Sequence, residues 1–436
     1  MWQRSIGGFM VNWRKPAIYT LLYLSGSKIP KYLKEIRRVE KLSKDEAKKY
    51  QEEKLKRLLL YAYRNVPYYN KTLKEAKVFD DGKVNLNNFN KIPILTKDII
   101  RKEGKNLYSK EKRKGVYENT SGGSTGEPVR FLQDKKYNEW NITNKLYYKL
   151  KAGQGIGEKE LRFWGSERDL LEGQEKLSIR LRNWLYNRRE FNTFKMSEKQ
   201  MFEYVEKWNK FNPSWVECYV QSIYEFAKFV EKNNLRIKSP KNGILTSAGT
   251  LTAEMREKIE KVFGCKVYNR YGSREVGDMA CGTGRLKISF WHQLVEAIEE
   301  KNNLGKIIVT NLNSYAMPLI RYEIGDVGIV NGFEIEEVKG RVVNLFKTKA
   351  GDLIDGEFFT HEFYLKDWVG KFQVVQKDYE LIEIKIVGEK NKKDMQKIEK
   401  DIKKVMGQNC NVKWEFVDEI EPTKEGKYLY TVSEVE

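Results

Sequence analysis

The chain has 436 residues, too many for one compact core and enough for two or three domains. Hydrophobic residues make up 40%, with 25 Tyr, 20 Phe and 10 Trp, which excludes a disordered polyelectrolyte. Lys and Arg number 81 against 61 Asp and Glu, and the net charge of +20 favours anionic partners (nucleotides, nucleic acids, acidic glycans or anionic membranes) without choosing among them. The basic residues are spread along the chain with no pure Lys/Arg block, so a solvated basic surface is the simpler reading. Four cysteines, Cys218, Cys265, Cys281 and Cys410, form no CxxC pair, and there are two histidines, His292 and His361. Such usage disfavours both a zinc site and a disulfide framework, and reduced thiols in a cytoplasmic protein are expected.

Met1 to Arg14 lacks a continuous apolar run, and Ala17 to Leu24 is far too short to span a bilayer, so neither a signal peptide nor a transmembrane helix is expected. Residues 1–38 mix Trp, Tyr and Leu with Lys and Arg. A packed N-terminal extension is the expected reading, with peripheral contact at the inner membrane face as the alternative. Ser43 to Arg64 reads as an amphipathic helix, with Leu55, Leu58, Leu59 and Ala62 at helical spacing and Ser43 and Glu46 as a capping box. Asn65-Val66-Pro67 ends it. Ile92 to Thr96 is a short extended piece before a helix start at Lys97, and residues 134–151 form an aromatic-rich helix. Asn242 to Thr246 is a buried strand, Thr252 to Phe263 a helix stopped by Gly264, and Lys266 to Tyr268 the next strand. This β-α-β order predicts a parallel or mixed sheet flanked by helices. Gly305 to Thr310 is a further strand, followed by a turn-rich stretch to Pro318. The tail then changes character. Strands at Phe372 to Gln376 and Leu381 to Val387, a helix at Lys393 to Met406 and a strand at Asn411 to Val417 read as a small α+β domain.

The segment richest in chemistry is Asn119-Thr120-Ser121-Gly122-Gly123-Ser124-Thr125-Gly126-Glu127-Pro128. Its glycines admit close backbone approach, its N–H groups can form an anion-binding nest, and Ser121, Ser124 and Thr125 add hydroxyl donors. Together they suit phosphate oxygens. The loop is not a Walker A motif, because Glu127 and Pro128 stand where that motif has Lys and Ser or Thr, and a strand-like Val129 to Leu132 follows instead of a helix. Taken alone, a flexible Ser/Gly connection between strands explains it equally well.

The loop resembles the TSGSTGxP signature of the adenylate-forming superfamily, and further matches follow in family order. Tyr271-Gly272-Ser273-Arg274-Glu275 resembles YGxxE, Arg321-Tyr322-Glu323-Ile324-Gly325-Asp326 resembles RYxxGD, Gly340-Arg341 the hinge GR, and Gly426-Lys427 the C-terminal Gly-Lys. Each motif is weak singly; their order across residues 45–436 is not. Asn65-Val66-Pro67-Tyr68-Tyr69, Ile92 to Lys97 and Ala316 to Tyr322 resemble the branch of phenylacetate–CoA ligase and the capsular-polysaccharide CapK-like proteins.

The resemblance implies an α/β fold: a large ATP- and acyl-binding domain over residues 1–340, a hinge at 341–346, and a small mobile α+β domain over 347–436. It also implies the chemistry, in which ATP and Mg²⁺ activate a carboxylic acid as an acyl-AMP. Ser121, Gly122, Gly123, Ser124, Thr125 and Gly126 would cradle the phosphates. Tyr271, Gly272 and Ser273 would flank the adenine, and Asp326 would accept the ribose hydroxyls. Glu275 would hold Mg²⁺, whose preference for hard carboxylate oxygen it meets. Arg341 would contact ribose or phosphate, and Lys427 would bridge the attacking carboxylate and the α-phosphate. Arg321 would brace the loop, and His292 is a weak pocket candidate. Simpler readings stand beside these: Glu275 as a surface residue paired with Arg274, Tyr271 as a core tyrosine, Asp326 as a turn residue, Arg341 and Lys427 as solvated surface cations.

Two positions depart from the branch. Ser247-Ala248-Gly249-Thr250 lacks the glutamate of its Gly-Ala-Glu, and Asn344 replaces the hinge aspartate. The cysteine cluster of some relatives is also missing. These leave the acyl acceptor open among coenzyme A, another thiol, an amine and a hydroxyl. The competing expectations are a non-catalytic scaffold of a glycan assembly system and a nucleic-acid binder, the latter resting on charge alone with no recognisable motif.

Overall fold

The computed structural model describes residues 12–80, 82–121, 129–165, 177–301, 304–339, 345–363, 366, 368–420 and 429–435. Helix α1 (Arg14–Leu24) buries only Ile18, whereas α2 (Ile29–Val39) buries Ile29, Leu33, Ile36 and Val39 on one face. The packed part of the N-terminal region is therefore α2, with Tyr32 stacked on Trp140 at 4.4 Å. In α3 (Lys44–Asn65) the capping box is present: Ser43 Oγ accepts from Glu46 N, and Ser43 N donates to Glu46 Oε2 at 2.9 Å. Val66 is extended, as the residue before a proline prefers. Pro67 then opens a second helix, α4 (Pro67–Glu75), where its missing N–H costs nothing. The sequence reading saw only the stop.

Strands β1 (Phe79–Asp80) and β2 (Lys83–Val84) form a small ribbon, and Thr96 caps α5 (Lys97–Glu103). Strands β3 (Tyr117–Thr120) and β4 (Arg130–Gln133) pair antiparallel, so the Ser/Gly loop springs from a hairpin. Asp134 caps α6 (Lys135–Lys151) through Tyr137 N at 2.8 Å.

The main sheet has eleven strands. Five are parallel neighbours: β5 (Glu160–Trp164), β6 (Arg188–Asn192), β8 (Trp215–Tyr219), β9 (Ile244–Ser247) and β10 (Val267–Ser273). Helices α7 (Leu177–Leu185), α8 (Glu198–Phe211), α9 (Val220–Lys232) and α10 (Ala253–Phe263) connect them. Every residue of β8 is buried, as expected of a strand covered on both faces. The expected β-α-β unit is β9-α10-β10, and Gly264 ends α10 at φ +60°, a left-handed position open to glycine. From β10 the sheet turns antiparallel through β11 (Gly277–Gly282), β12 (Leu286–Ile288), β16 (Glu334–Lys339), β15 (Tyr322–Asn331), β14 (Leu304–Asn311) and β13 (Gln293–Lys301).

The C-terminal part has its own sheet, ordered β21 (Asn411–Phe416), β20 (Leu381–Gly388), β19 (Val369–Asp378), β22 (Thr431–Ser433). The helix Lys392–Met406 covers it with Ile398, Ile402 and Val405. It is fastened to the larger part. The strand β18 (Leu353–Asp355) pairs with both β17 (Leu345–Lys347) and the two-residue β7 (Lys195–Met196), and Ser222 Oγ donates to Asp355 Oδ2 at 2.8 Å. Phe194 and Tyr219 join the hydrophobic core of the C-terminal part.

Beneath the parallel strands lies a buried charge cluster. Glu217 on β8 meets Arg270 at 2.8 Å, Lys149 at 3.3 Å and Arg162 at 3.5 Å. Glu160 meets Lys149 at 2.7 Å and Arg188 at 3.0 Å. Burial alone would raise the Glu217 carboxyl, but Arg162, Lys149 and Arg270 outweigh it and hold it well below its usual range. Removing one member leaves the others charged and unmatched. Glu217→Gln should therefore lower stability by about 3 kcal/mol or more in urea unfolding; a loss within about 0.5 kcal/mol would show the cations to be satisfied elsewhere.

Candidate active site

The parallel strands all point one way, so their carboxyl ends share one rim. Trp164 ends β5, Tyr219 ends β8, Ser247 ends β9 and Ser273 ends β10, and all four line a cavity of about 690 Å³. The rim of an open α/β sheet, where strand direction reverses, is a general ligand-binding position.

Tyr271, Gly272, Ser273 and Glu275 stand at the end of β10 and Asp326 on β15, and all five line this cavity. Tyr271 Oη donates to Asp326 Oδ2 at 2.7 Å, joining two motifs 55 positions apart. Gly272 sits where β10 bulges against β11, and a Cβ there would lie 2.6 Å from the Gly277 carbonyl, so only glycine fits without displacement. Glu275 is 2% exposed, which rules out the reading of it as a surface residue. Tyr322 Oη donates to its Oε1 at 3.2 Å, while Oε2 is buried without a hydrogen-bond partner. An orphaned carboxylate oxygen of this kind fits a hard cation such as Mg²⁺. Among the described residues no group of three His, Cys, Asp or Glu could hold a metal. A magnesium ion at Glu275 would thus take its remaining ligands from phosphate and water.

The β3–β4 hairpin is tied to the same place. Gln133 Nε2 donates to the carbonyls of Arg274 at 2.8 Å and Glu275 at 3.3 Å. Ser121 is fully buried at the neck of the Ser/Gly loop, where its Oγ accepts from Val129 N at 2.9 Å and its N–H donates to Val129 O at 2.9 Å. Gly122, Gly123, Ser124, Thr125, Gly126, Arg341 and Lys427 lie outside the described residues, as does the hinge segment 340–344. Arg321 stays off the cavity. Its guanidinium donates to the carbonyls of Asn90 and Ile92, and it adopts φ +51°, a costly left-handed conformation for a side-chain-bearing residue.

His292, the pocket candidate read from the sequence, lies off the cavity, and His361 lies on it. His292 is fully buried away from the cavity, stacked on Trp140 with its Nδ1 2.9 Å from Asn313 Nδ2. His361 instead lines the cavity from the C-terminal part, its Nε2 3.2 Å from the Arg274 guanidinium. Burial and Arg274 lower its pKa to about 3, so it is neutral. Composition and spacing offered no sign of this, because the contact joins residues 87 apart. Ala248, at φ +54° in the loop that departs from the branch pattern, also lines the cavity. So do Tyr137, Asn141 and Lys145 of α6, which fall at i, i+4 and i+8 and were legible as one helix face.

Comparison with known proteins bears on the fold. A family profile described as the CapK C-terminal domain matches residues 346–434. Protein CapK of Staphylococcus aureus is 26% identical over 425 residues, spanning 93% of this chain and 92% of its own length. A phenylacetate–coenzyme A ligase of Thermus thermophilus is 24% identical over 314 residues, 66% of this chain and 67% of that one. Among solved structures, 2-hydroxyisobutyryl-CoA ligase in the postadenylation state with 2-HIB-AMP has a TM-score of 0.53 at 14% identity, over 90% of both chains. The chain has the adenylate-forming fold and is similar to its CapK and phenylacetate–CoA ligase branch.

His292 supplies a pH test of the core beside this site. Burial, reinforced by Lys54, lowers its pKa to about 3 from the ordinary 6.5. Its contribution is fully present above pH 6.5 and is lost as pH falls toward about 3, because the unfolded chain takes up the proton first. Wild-type protein should lose about 2 kcal/mol more than His292→Gln between pH 7 and pH 5. Parallel stability curves for the two in urea titrations would show that His292 is protonated in the fold.

Proposed function

We propose that this chain uses ATP to activate a carboxylic acid as an acyl-AMP, releasing pyrophosphate, and then passes the acyl group to a thiol, amine or hydroxyl acceptor such as coenzyme A or a sugar, releasing AMP. The carrying observation is convergence: Tyr271, Glu275 and Asp326 share one cavity, and the Ser/Gly hairpin is hydrogen-bonded to the backbone of Arg274 and Glu275. A substrate carboxylate oxygen attacks the α-phosphorus, and the bond to the β,γ-pyrophosphate breaks. Both reactants are anionic, so positive charge must offset their repulsion. Magnesium, when bound at Glu275, would supply part of that charge. Gly122 to Gly126 would offer backbone N–H groups to the phosphates, with Ser121 holding the neck of their loop closed. Asp326 would take the ribose hydroxyls, and Tyr271, which donates to it, would keep that carboxylate oriented while flanking the adenine. Arg341 would act from the hinge at 341–346 itself, and Lys427 from beyond it, carried by the small domain 347–436.

Glu275→Gln keeps the size and the acceptor for Tyr322 but removes the charge. It should cut ATP–pyrophosphate exchange by about 100-fold and raise the magnesium requirement. Lys427→Ala should suppress exchange similarly while ATP binding persists. Wild-type exchange in either variant would remove that residue from the reaction.

A surface feature supports a second element of the proposal, docking on an anionic bilayer. Leu21, Tyr23 and Leu24 of α1 and Leu177, Leu181 and Trp184 of α7 are exposed. The two helices meet where Trp13 lies 5.5 Å from Trp184 and Arg14 Nε donates to Trp184 O at 3.4 Å. No Asp or Glu occurs in residues 12–34 or 177–189, whereas Arg14, Lys15, Lys28, Arg180 and Arg182 do. Apolar side chains rimmed by cations, with no acid among them, suit an interface of anionic headgroups. Among the described residues no helix is long and apolar enough to cross a membrane, and docking of this kind requires none. The protein should sediment with phosphatidylserine vesicles at low salt, and Leu181→Glu with Trp184→Ser should reduce the bound fraction by about tenfold. Equal binding by the double variant would assign the attraction to bulk charge; no binding by either would discard the docking face.

A further inference from the structure

One wall of the cavity has no task in the nucleotide chemistry above. Tyr137, Asn141 and Lys145 line it from α6, and Arg270 and Asp278 line it from β10 and β11. Asp278 is 7% exposed. Its Oδ1 lies 3.6 Å from Arg270 Nε, and its Oδ2 is buried without any hydrogen-bond partner. Asn141 Oδ1 accepts from Asp278 N at 3.2 Å, which aims the amide group along the same wall. Asp278 is the strongest charge acting on Lys145, yet no carboxylate among the described residues pairs with the ammonium. Arg270 is engaged by Glu217 at 2.8 Å. The wall thus offers one unmet acceptor, Asp278 Oδ2, and one unmet donor, Lys145 Nζ.

Each class of substituent meets this wall differently. A hydrocarbon would displace water from the carboxylate and the ammonium and return nothing. A second carboxylate would meet Asp278 Oδ2, and an ammonium would meet Lys145 and Arg270. Of these a hydroxyl serves both groups, donating to Asp278 and accepting from Lys145. On the acyl-AMP reading above, we infer that the activated acid is a hydroxylated carboxylic acid whose hydroxyl is selected by Lys145 and Asp278, not an aryl or alkyl acid.

The test holds chain length constant. ATP–pyrophosphate exchange would be measured with 2-, 3- and 6-hydroxyhexanoate and gluconate against hexanoate, adipate and 6-aminohexanoate. Calorimetric titration of each acid, with a non-hydrolysable ATP analogue present, would follow binding without chemistry. The best hydroxy acid should exceed hexanoate by about tenfold or more in kcat/KM and in affinity. Lys145→Met should raise KM for that acid by a similar factor, leave KM for ATP unchanged and narrow its advantage over hexanoate. Preferential binding of a hydroxy acid without exchange would uphold this inference and reject adenylation. Exchange led by hexanoate, adipate or 6-aminohexanoate would uphold adenylation and overturn the inference. So would the absence of any hydroxyl preference in both measurements, or a Lys145→Met variant with unchanged selectivity.

Discussion

Glu217 stands in a strand buried on both faces, and three cations converge on its carboxylate. A charge in that position is tolerable only if every partner arrives, so Lys149 on α6, Arg162 on β5 and Arg270 on β10 must take up one arrangement together. This constraint fixes where α6 lies against the sheet. Because α6 supplies Tyr137, Asn141 and Lys145 to the cavity, the same cluster that holds the parallel strands in register also sets one wall of the site. Burial makes the cluster costly and therefore specific: a shifted helix would leave an unpaired ion rather than a weaker contact.

The change of strand direction at β10 does the remaining positioning. Parallel strands deliver chain ends to one rim; antiparallel neighbours return from it. Tyr271 lies on β10 at that boundary and Asp326 on β15 among the antiparallel strands, and their side chains meet at the cavity, while the bulge at Gly272 lets β10 and β11 approach closely. Glu275 follows directly in the turn, which accounts for its burial. Its lone acceptor oxygen is the kind of local cost that a folded chain retains where a ligand relieves it.

The C-terminal part is held by a mixture of strong and weak ties. Phe194 and Tyr219 enter its core, β7 adds a two-residue edge to β17 and β18, and His361 lies 3.2 Å from the Arg274 guanidinium at the cavity. In the proposed reaction this is the side from which Lys427 would approach.

Much of the architecture was legible in the chain itself. The capping box at Ser43 and Glu46, the β9-α10-β10 unit closed by Gly264, and the strand–helix–strand tail all follow from local rules of period, capping and glycine conformation, which act over a few residues. The motifs at Tyr271 to Glu275 and Arg321 to Asp326 were equally readable, since each is a short contiguous string. Long-range packing decided the rest. Nothing local distinguishes His361 from His292, yet one lines the cavity and the other stacks in the core, because the helix Gly356–Glu362 carries the first to the rim while the second, just ahead of β13, stacks on Trp140 of α6. Lys145 and Asp278 likewise look like ordinary surface charges in the sequence. Their unmet hydrogen bonds exist only once α6 is laid against β11, since desolvation is a property of the assembled neighbourhood and not of any residue or its near neighbours in the chain.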